Sequence, residues 1–172
     1  MGTIWIFLDV DGVLNCTSTK ELTPEGFIGV EDKKIRLLAD FVYEMKASVV
    51  LTSDWKDKDV RERERNPGAD LAYLLNKLAD HGLNIAAYTR DGDRGAAVRD
   101  YLDRFPGCAV IFDDHWVKSF KAAGVSRYLV QTSGRSGLQP GHIRQAKKLL
   151  ELQMLSESLS QNISQSTEKG RD

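Results

Sequence analysis

A chain of 172 residues, 41% of them hydrophobic, carries material for one well-buried core and little for a second. Its 24 basic and 25 acidic residues leave a formal charge of -1, so overall electrostatics neither draw it to polyanions nor hold it away from them. The two cysteines, Cys16 and Cys108, have the spacing of neither a metal knuckle nor a redox pair, which excludes a disulfide framework and fits a reducing compartment.

The first predicted element is a strand, Ile4 to Leu8, a continuous apolar run of the kind buried on both faces. At five residues it is far shorter than a signal-peptide core or a membrane span of ~20 residues, so the expectation is a soluble, cytoplasmic protein with no membrane contact. A loop follows with the Thr, Pro and Gly punctuation of "STKELTPEGF". Ile35, Leu38, Phe41 and Val42 then recur at helical spacing within residues 31–47. "SVVLTS" is a second strand, ending in hydroxyls at Thr52 and Ser53.

A charged stretch leads to Pro67 and a helix that stops at Gly82, and "NIAAYT" makes a third strand. Asp93 is placed to cap the next helix, with Val98, Tyr101 and Leu102 on its apolar side. "CAVIFDDHW" is the fourth strand, a short helix covers Val117 to Ala123, "RYLVQT" is the fifth strand, and "HIRQAKKLLELQML" is a final helix. Strands alternating with helices imply a three-layer, doubly wound, Rossmann-like parallel sheet of about five strands. The domain is expected over residues 1–155, and the Ser-, Gln- and Glu-rich segment 156–172 is expected to be a disordered tail. "TSGRSGLQPG", 132–141, lacks the Gly-Lys-Ser/Thr ending of a phosphate loop and reads as an ordinary loop.

Ligands of such sheets bind beyond the C-terminal strand ends, which is where the acids are. Asp9 and Asp11 follow strand 1, and Asp113 and Asp114 end strand 4. If the backbone stays extended through Val10, Asp9 and Asp11 project to one side, close enough to repel. Convergent carboxylates are then best balanced by a divalent metal, and hard oxygen ligands with room for water favour Mg²⁺. Gly12 lets the chain turn away behind them. Such a metal suits phosphoryl transfer, with one carboxylate free to attack phosphorus. Thr52 and Ser53 supply hydroxyls and Arg94 a cation for the remaining phosphate oxygens.

These residues carry a resemblance. "FLDVDGVLN" is similar to the first motif of the haloacid dehalogenase-like (HAD) phosphohydrolases, a hydrophobic strand followed by Asp-x-Asp-Gly. "VVLTS" resembles their second motif and "VIFDDHW" their fourth, in the family's order, over residues 3 to about 150. More narrowly, "LTSDW", "DRGAAVRDYL", "IFDDHW" and "SGLQPGHIRQAKKLL" resemble the HAD domains of Swiss Army Knife RNA repair proteins.

The resemblance implies a double displacement. Asp9 is the implied nucleophile, forming an aspartyl-phosphate, and Asp11 the acid for the leaving oxygen and then the base for water. Asp9, the backbone carbonyl of Asp11 and Asp113 are the implied Mg²⁺ ligands, with Asp114 assisting directly or through water. Ser53 holds the phosphoryl group if Trp55 sets the alignment, Thr52 if the strand end does. Arg94 stands where the superfamily's third motif has Lys, a planar fork in place of a point charge, and Lys56 and Lys118 are alternatives for its role.

Each residue also has a plainer reading. Asp9 and Asp11 could be solvated turn residues, Asp113 and Asp114 a helix cap, and Arg94 the surface partner of Asp91 or Asp93. Trp55 and Trp116 could stack on a base or pack over the sheet edge. His115 reads as a bystander, Cys16 as structural, and "RERER", 61–65, as a solvated helix face. The intervals between motifs leave no room for a large cap, and an open site admits bulky substrates. The expected activity is therefore Mg²⁺-dependent phosphate removal from nucleic-acid ends or nucleotides. The alternatives are the same chemistry on a small metabolite or phosphoprotein, or a non-catalytic module with the same fold. Sequence leaves the oligomeric state open.

Overall fold

The structure is a computed structural model that describes residues 2–56 and 67–168, with side chains to residue 160. The "RERER" run lies outside the described residues. Strands β1 (Ile4–Leu8), β2 (Ser48–Leu51), β3 (Ile85–Tyr88), β4 (Cys108–Asp113) and β5 (Leu129–Gln131) form one parallel sheet in the order β3-β2-β1-β4-β5. The helices are α1 (Asp32–Met45), α2 (Ala69–Ala79), α3 (Arg94–Arg104), α4 (Val117–Ala122) and α5 (Pro140–Glu168).

Strand alternation sorts side chains between two cores. Ile4, Ile6, Leu8, Val49, Leu51, Val110 and Phe112 pack with α1, α2 and α5 through Ile35, Leu38, Phe41, Leu71, Leu74 and Leu150. Phe7, Val50, Ala109 and Ile111 face the other way, onto Val98 and Tyr101 of α3 and Phe120 of α4. The sheet is thus covered on both faces, which explains why β1, β2 and β4 read as unbroken apolar runs. The strand order reverses direction between β1 and β4, so the fold's crevice opens beyond their C-terminal ends.

Most boundaries move by a residue or two. Strand β2 stops at Leu51, placing Thr52 and Ser53 just past it. Arg127 and Tyr128 belong to a 3₁₀ turn ahead of β5. Pro140 opens α5, where its missing N–H costs nothing. Asp93 caps α3 as expected, its carboxylate accepting the Ala96 N–H at 2.8 Å. The last helix is longer than the run that marks it in the sequence: it is continuous across residue 155 and reaches Glu168. The segment is polar, yet it has no helix breaker before Gly170. Residues 155–160 are exposed and add no buried apolar surface. No described helix is long and apolar enough to cross a membrane.

The loop after β1 is more ordered than its composition suggests. Leu22 and Ile28 form an antiparallel bridge closed by a turn at Gly26, whose φ of +88° suits a residue without Cβ. This hairpin is tied to α2. The Glu25 N–H donates to Asp70 Oδ1 at 3.1 Å, the Tyr73 hydroxyl donates to Glu21 at 2.7 Å, and Lys77 pairs with Glu21 at 2.9 Å.

Candidate active site

Asp9 and Asp113 meet because their strands are neighbours in register. Leu8 pairs with Phe112, and the Asp9 N–H continues the ladder by donating to the Phe112 carbonyl at 3.0 Å. The alternation that puts Phe7 and Ile111 on the α3 face puts Asp9 and Asp113 there too, opposite Arg94, the first residue of α3. Arg94 Nη1 lies 2.7 Å from Asp9 Oδ2 and 2.9 Å from Asp113 Oδ2, and Nη2 lies 3.3 Å from Asp54. All three members of the central cluster are buried: Asp113 is 0% exposed, Asp9 4% and Arg94 5%. Arg94 is therefore no surface partner of Asp91 or Asp93. Its guanidinium also sits 5.2 Å from the Trp116 ring, which covers it from outside.

The electrostatics follow from burial. Desolvation pushes the Asp9 carboxyl up to about 6, against the pull of Arg94 and with the help of Asp113; hydrogen bonds from Ser53 and the Val10 N–H pull it back. Burial and then Asp113 raise Asp114 as well. Burial alone would lower Arg94, but Asp9 and Asp113 outweigh it and hold the guanidinium charged. Asp113 does double duty: its Oδ1 accepts the His115 and Trp116 N–H groups at 2.9 Å, ordering the entry to α4. The N-cap of α4 is Trp116, which makes no side-chain cap hydrogen bond, so Asp113 orders the turn ahead of the helix without capping it.

Asp9, Asp113 and Asp114 each bring a carboxylate oxygen within 4.8 Å of the others. These three carboxylates stand beside a single guanidinium, which pairs with Asp9 and Asp113, and a divalent cation would balance the excess negative charge. The donor set, all oxygen, fits Mg²⁺. Gly12 leaves the space open: its φ is +67°, and a Cβ there would sit 2.2 Å from Asp114 Oδ2.

Asp11 departs from the expected geometry. The chain turns directly after Val10, with the Val13 and Leu14 N–H groups both donating to the Val10 carbonyl. Its carboxylate consequently stands outside the group of three, hydrogen-bonded by Asn15 Nδ2 at 2.8 Å and Trp55 Nε1 at 3.0 Å. The two aspartates therefore have separate partners, Arg94 and Ser53 for Asp9 and Asn15 and Trp55 for Asp11. Asn15 also accepts the Gly12 N–H, so one side chain fixes both the turn and the acid. Asn15 and Trp55 were legible as residues of the motifs but not as the pair that orients Asp11.

Thr52 and Ser53 are both buried, at 1% exposure, and differ in their partners. Ser53 bonds to Asp9, whereas Thr52 Oγ1 has no hydrogen-bond partner among the described residues. Lys56 reaches away to the Arg90 carbonyl and Asp91, and Lys118 is exposed on α4, so neither stands in the place of Arg94. His115 is exposed. Cys16 is a buried free thiol, raised by burial but lowered overall by hydrogen bonds with Ser18 and Thr19.

A parallel three-layer fold whose switch-point strands lead into Asp-x-Asp-Gly and Asp-Asp, with hydroxyls just past β2 and a buried cation opening α3, defines the haloacid dehalogenase-like class. Within that class, the chain belongs to the family described as the HAD domain in Swiss Army Knife RNA repair proteins, whose model matches residues 5–143. A comparison with curated proteins gave no match.

Proposed function

We propose that the protein is a Mg²⁺-dependent phosphoric monoester hydrolase acting on nucleic-acid ends or nucleotides. The observation that carries this is the buried Asp9 carboxylate, clamped with Asp113 by Arg94 and open to Asp114 across Gly12. Asp9, Asp113 and Asp114, with the backbone carbonyl of Asp11, would hold Mg²⁺, which when bound neutralises phosphate oxygens.

A carboxylate oxygen of Asp9 attacks phosphorus, the bond to the leaving oxygen breaks, and Asp11 gives that oxygen its proton. Water then attacks the phosphorus of the aspartyl-phosphate, Asp11 takes the proton of the water, and Asp9 leaves as carboxylate. Asn15 and Trp55 keep the Asp11 carboxyl oriented through both steps. Arg94 holds Asp9 in its attacking orientation and stabilises charge on the transferring group.

For the phosphoryl oxygen, the orphaned hydroxyl of Thr52 is the better donor, and Ser53 serves Asp9. A buried hydroxyl without a partner costs free energy, and a phosphoryl oxygen would satisfy it. The family's description as a domain of RNA repair proteins supports a nucleic-acid substrate, as does the absence of a large cap among the described residues.

The test is a phosphate-release panel with Mg²⁺ present or chelated, across RNA and DNA termini, mononucleotides, sugar phosphates and a phosphopeptide. The proposal requires release that stops on chelation and ranks nucleic-acid or nucleotide esters first. A top rank for a sugar phosphate or the phosphopeptide would transfer the same chemistry to another substrate.

A further inference from the structure

Beside Asp11 lies a cleft of about 420 Å³, walled by Trp55, Phe27 and Ile28 and carrying the acids Asp11, Glu25, Asp54 and Asp70. Because Asp11 protonates the leaving oxygen in the reading above, on which this inference rests, the cleft is where the leaving group must lie. Its walls are unusual for a surface. Phe27 is 64% exposed and Ile28 44%, both held out by the hairpin that Asp70 and Tyr73 fasten to α2. Trp55 is fixed from two sides, by its bond to Asp11 and by the Tyr73 ring 6.5 Å away, tilted 31°. Large apolar side chains kept in water on a pinned hairpin next to a reactive carboxylate form a binding wall.

The charge selects among leaving groups. Glu25 and Asp70 would repel a further phosphate, so the cleft does not track a polyanionic backbone. Carboxylates accept hydrogen bonds and offer none when ionised. A flat ring with adjacent N–H donors meets both features, stacking on the aromatic walls and donating to a carboxylate. Guanine is the nucleobase that presents two neighbouring donors, N1–H and N2–H, on one edge. Uracil presents a single N–H between two carbonyls, which the acids oppose.

We propose that this cleft is a nucleobase subsite selective for guanine, with the base between Trp55 and Phe27 and its donor edge on the Asp70 carboxylate. Asp70 Oδ1 already accepts the Glu25 N–H, which orients the group for this role. The ester can be a mononucleotide or the terminal nucleotide of a strand, since both present the same base.

The full chain with Mg²⁺ is assayed on the 3′- and 5′-monophosphates of guanosine and uridine, on short RNAs phosphorylated at an end and terminating in G or U, and on an aryl phosphate. Guanosine esters should exceed uridine esters about tenfold or more in kcat/KM, because a site built around hydrogen bonds rejects a ligand that leaves them unmade. Asp70→Asn should cut that preference to below about threefold, and Phe27→Ala should raise KM for guanosine esters about tenfold. Comparing mononucleotide with RNA identifies the source of the base. In parallel, guanosine, lacking any phosphate, should quench tryptophan fluorescence saturably where uridine at the same concentration does not. Equal kcat/KM for guanosine and uridine esters alongside turnover of the aryl phosphate overturns the subsite and leaves the phosphatase reading standing. No release from any ester overturns the phosphatase reading, and guanosine quenching then decides the subsite by itself.

Discussion

The two halves of the site are built by different means. The Asp9, Asp113 and Arg94 half is buried, charged and set by strand register, with each acid fixed by its neighbour in the sheet. The Asp11, Trp55 and Phe27 half is exposed, largely apolar and set by a hairpin fastened to α2 from outside the sheet. The first half costs stability, since desolvated charges are tolerated only as a complete cluster. The second costs solubility, since aromatic surface is left in water. On the proposed reading, chemistry is lodged at the strand ends and recognition in the loops, and a substitution should reveal which half it belongs to.

The largest expected effect separates the halves outright. Asp9→Asn removes the attacking anion while keeping its shape, and turnover should fall by about 10³-fold or more with the circular dichroism spectrum unchanged. Persistent activity in the purified variant would count against Asp9 as nucleophile. Arg94→Ala should slow the chemical step by about 10². It should also destabilise the fold by about 3–5 kcal/mol, because Asp9 and Asp113 would be left buried without their cation. Arg94→Lys should recover much of the stability; an unchanged rate in Arg94→Ala would break the claim that the strand-end half acts as one unit.

Smaller effects test the outer half. Trp55→Phe keeps the ring but deletes the N–H bond to Asp11, and should lower kcat about fivefold, the worth of about one hydrogen bond. Chemical denaturation should show it near wild type in stability, in contrast to Arg94→Ala.

The hairpin latch gives a pH dependence. The Tyr73 hydroxyl, and next Lys77, hold the Glu21 carboxyl below its usual range. A carboxylate with a depressed folded pKa stabilises the fold above its unfolded value of 4.5, and that contribution is lost as pH falls through the folded value. Thermal melts from about pH 6 to about pH 3 should therefore show a smaller acid loss in Glu21→Gln than in wild type. An identical profile would detach Glu21 from the latch.

The smallest effect concerns the end of α5, which we propose contributes little to the domain. Residues 156–160 should exchange amide hydrogens far faster than residues 140–154, since a helical stretch whose side chains are exposed is marginal in water.

The same division explains what could be read from the sequence. Apolar runs ending in acids made β1 and β4 and their carboxylates legible, and Arg94 was legible as the first residue after a capping Asp93. Strand alternation then carried Asp9 and Asp113 to one face without further information. It failed for Asp11, because a turn at Val10 is settled by hydrogen bonds that leave no mark on hydrophobic periodicity. The different surroundings of Thr52 and Ser53 were hidden for a related reason: both follow the strand, and only tertiary contacts give Ser53 a partner in Asp9. The cleft was illegible altogether. Phe27, Asp70 and Trp55 come from three separate segments, and only the packing of the hairpin on α2 brings them together.

The most direct measurement is rapid acid quench of the wild-type protein during turnover, followed by mass mapping of its peptides. A phosphoryl group should appear on the peptide containing Asp9, at a level set by the steady state, and should be absent from Asp9→Asn. Phosphate release at full rate with no phosphoryl group on Asp9, or with the group on another residue, would contradict the account.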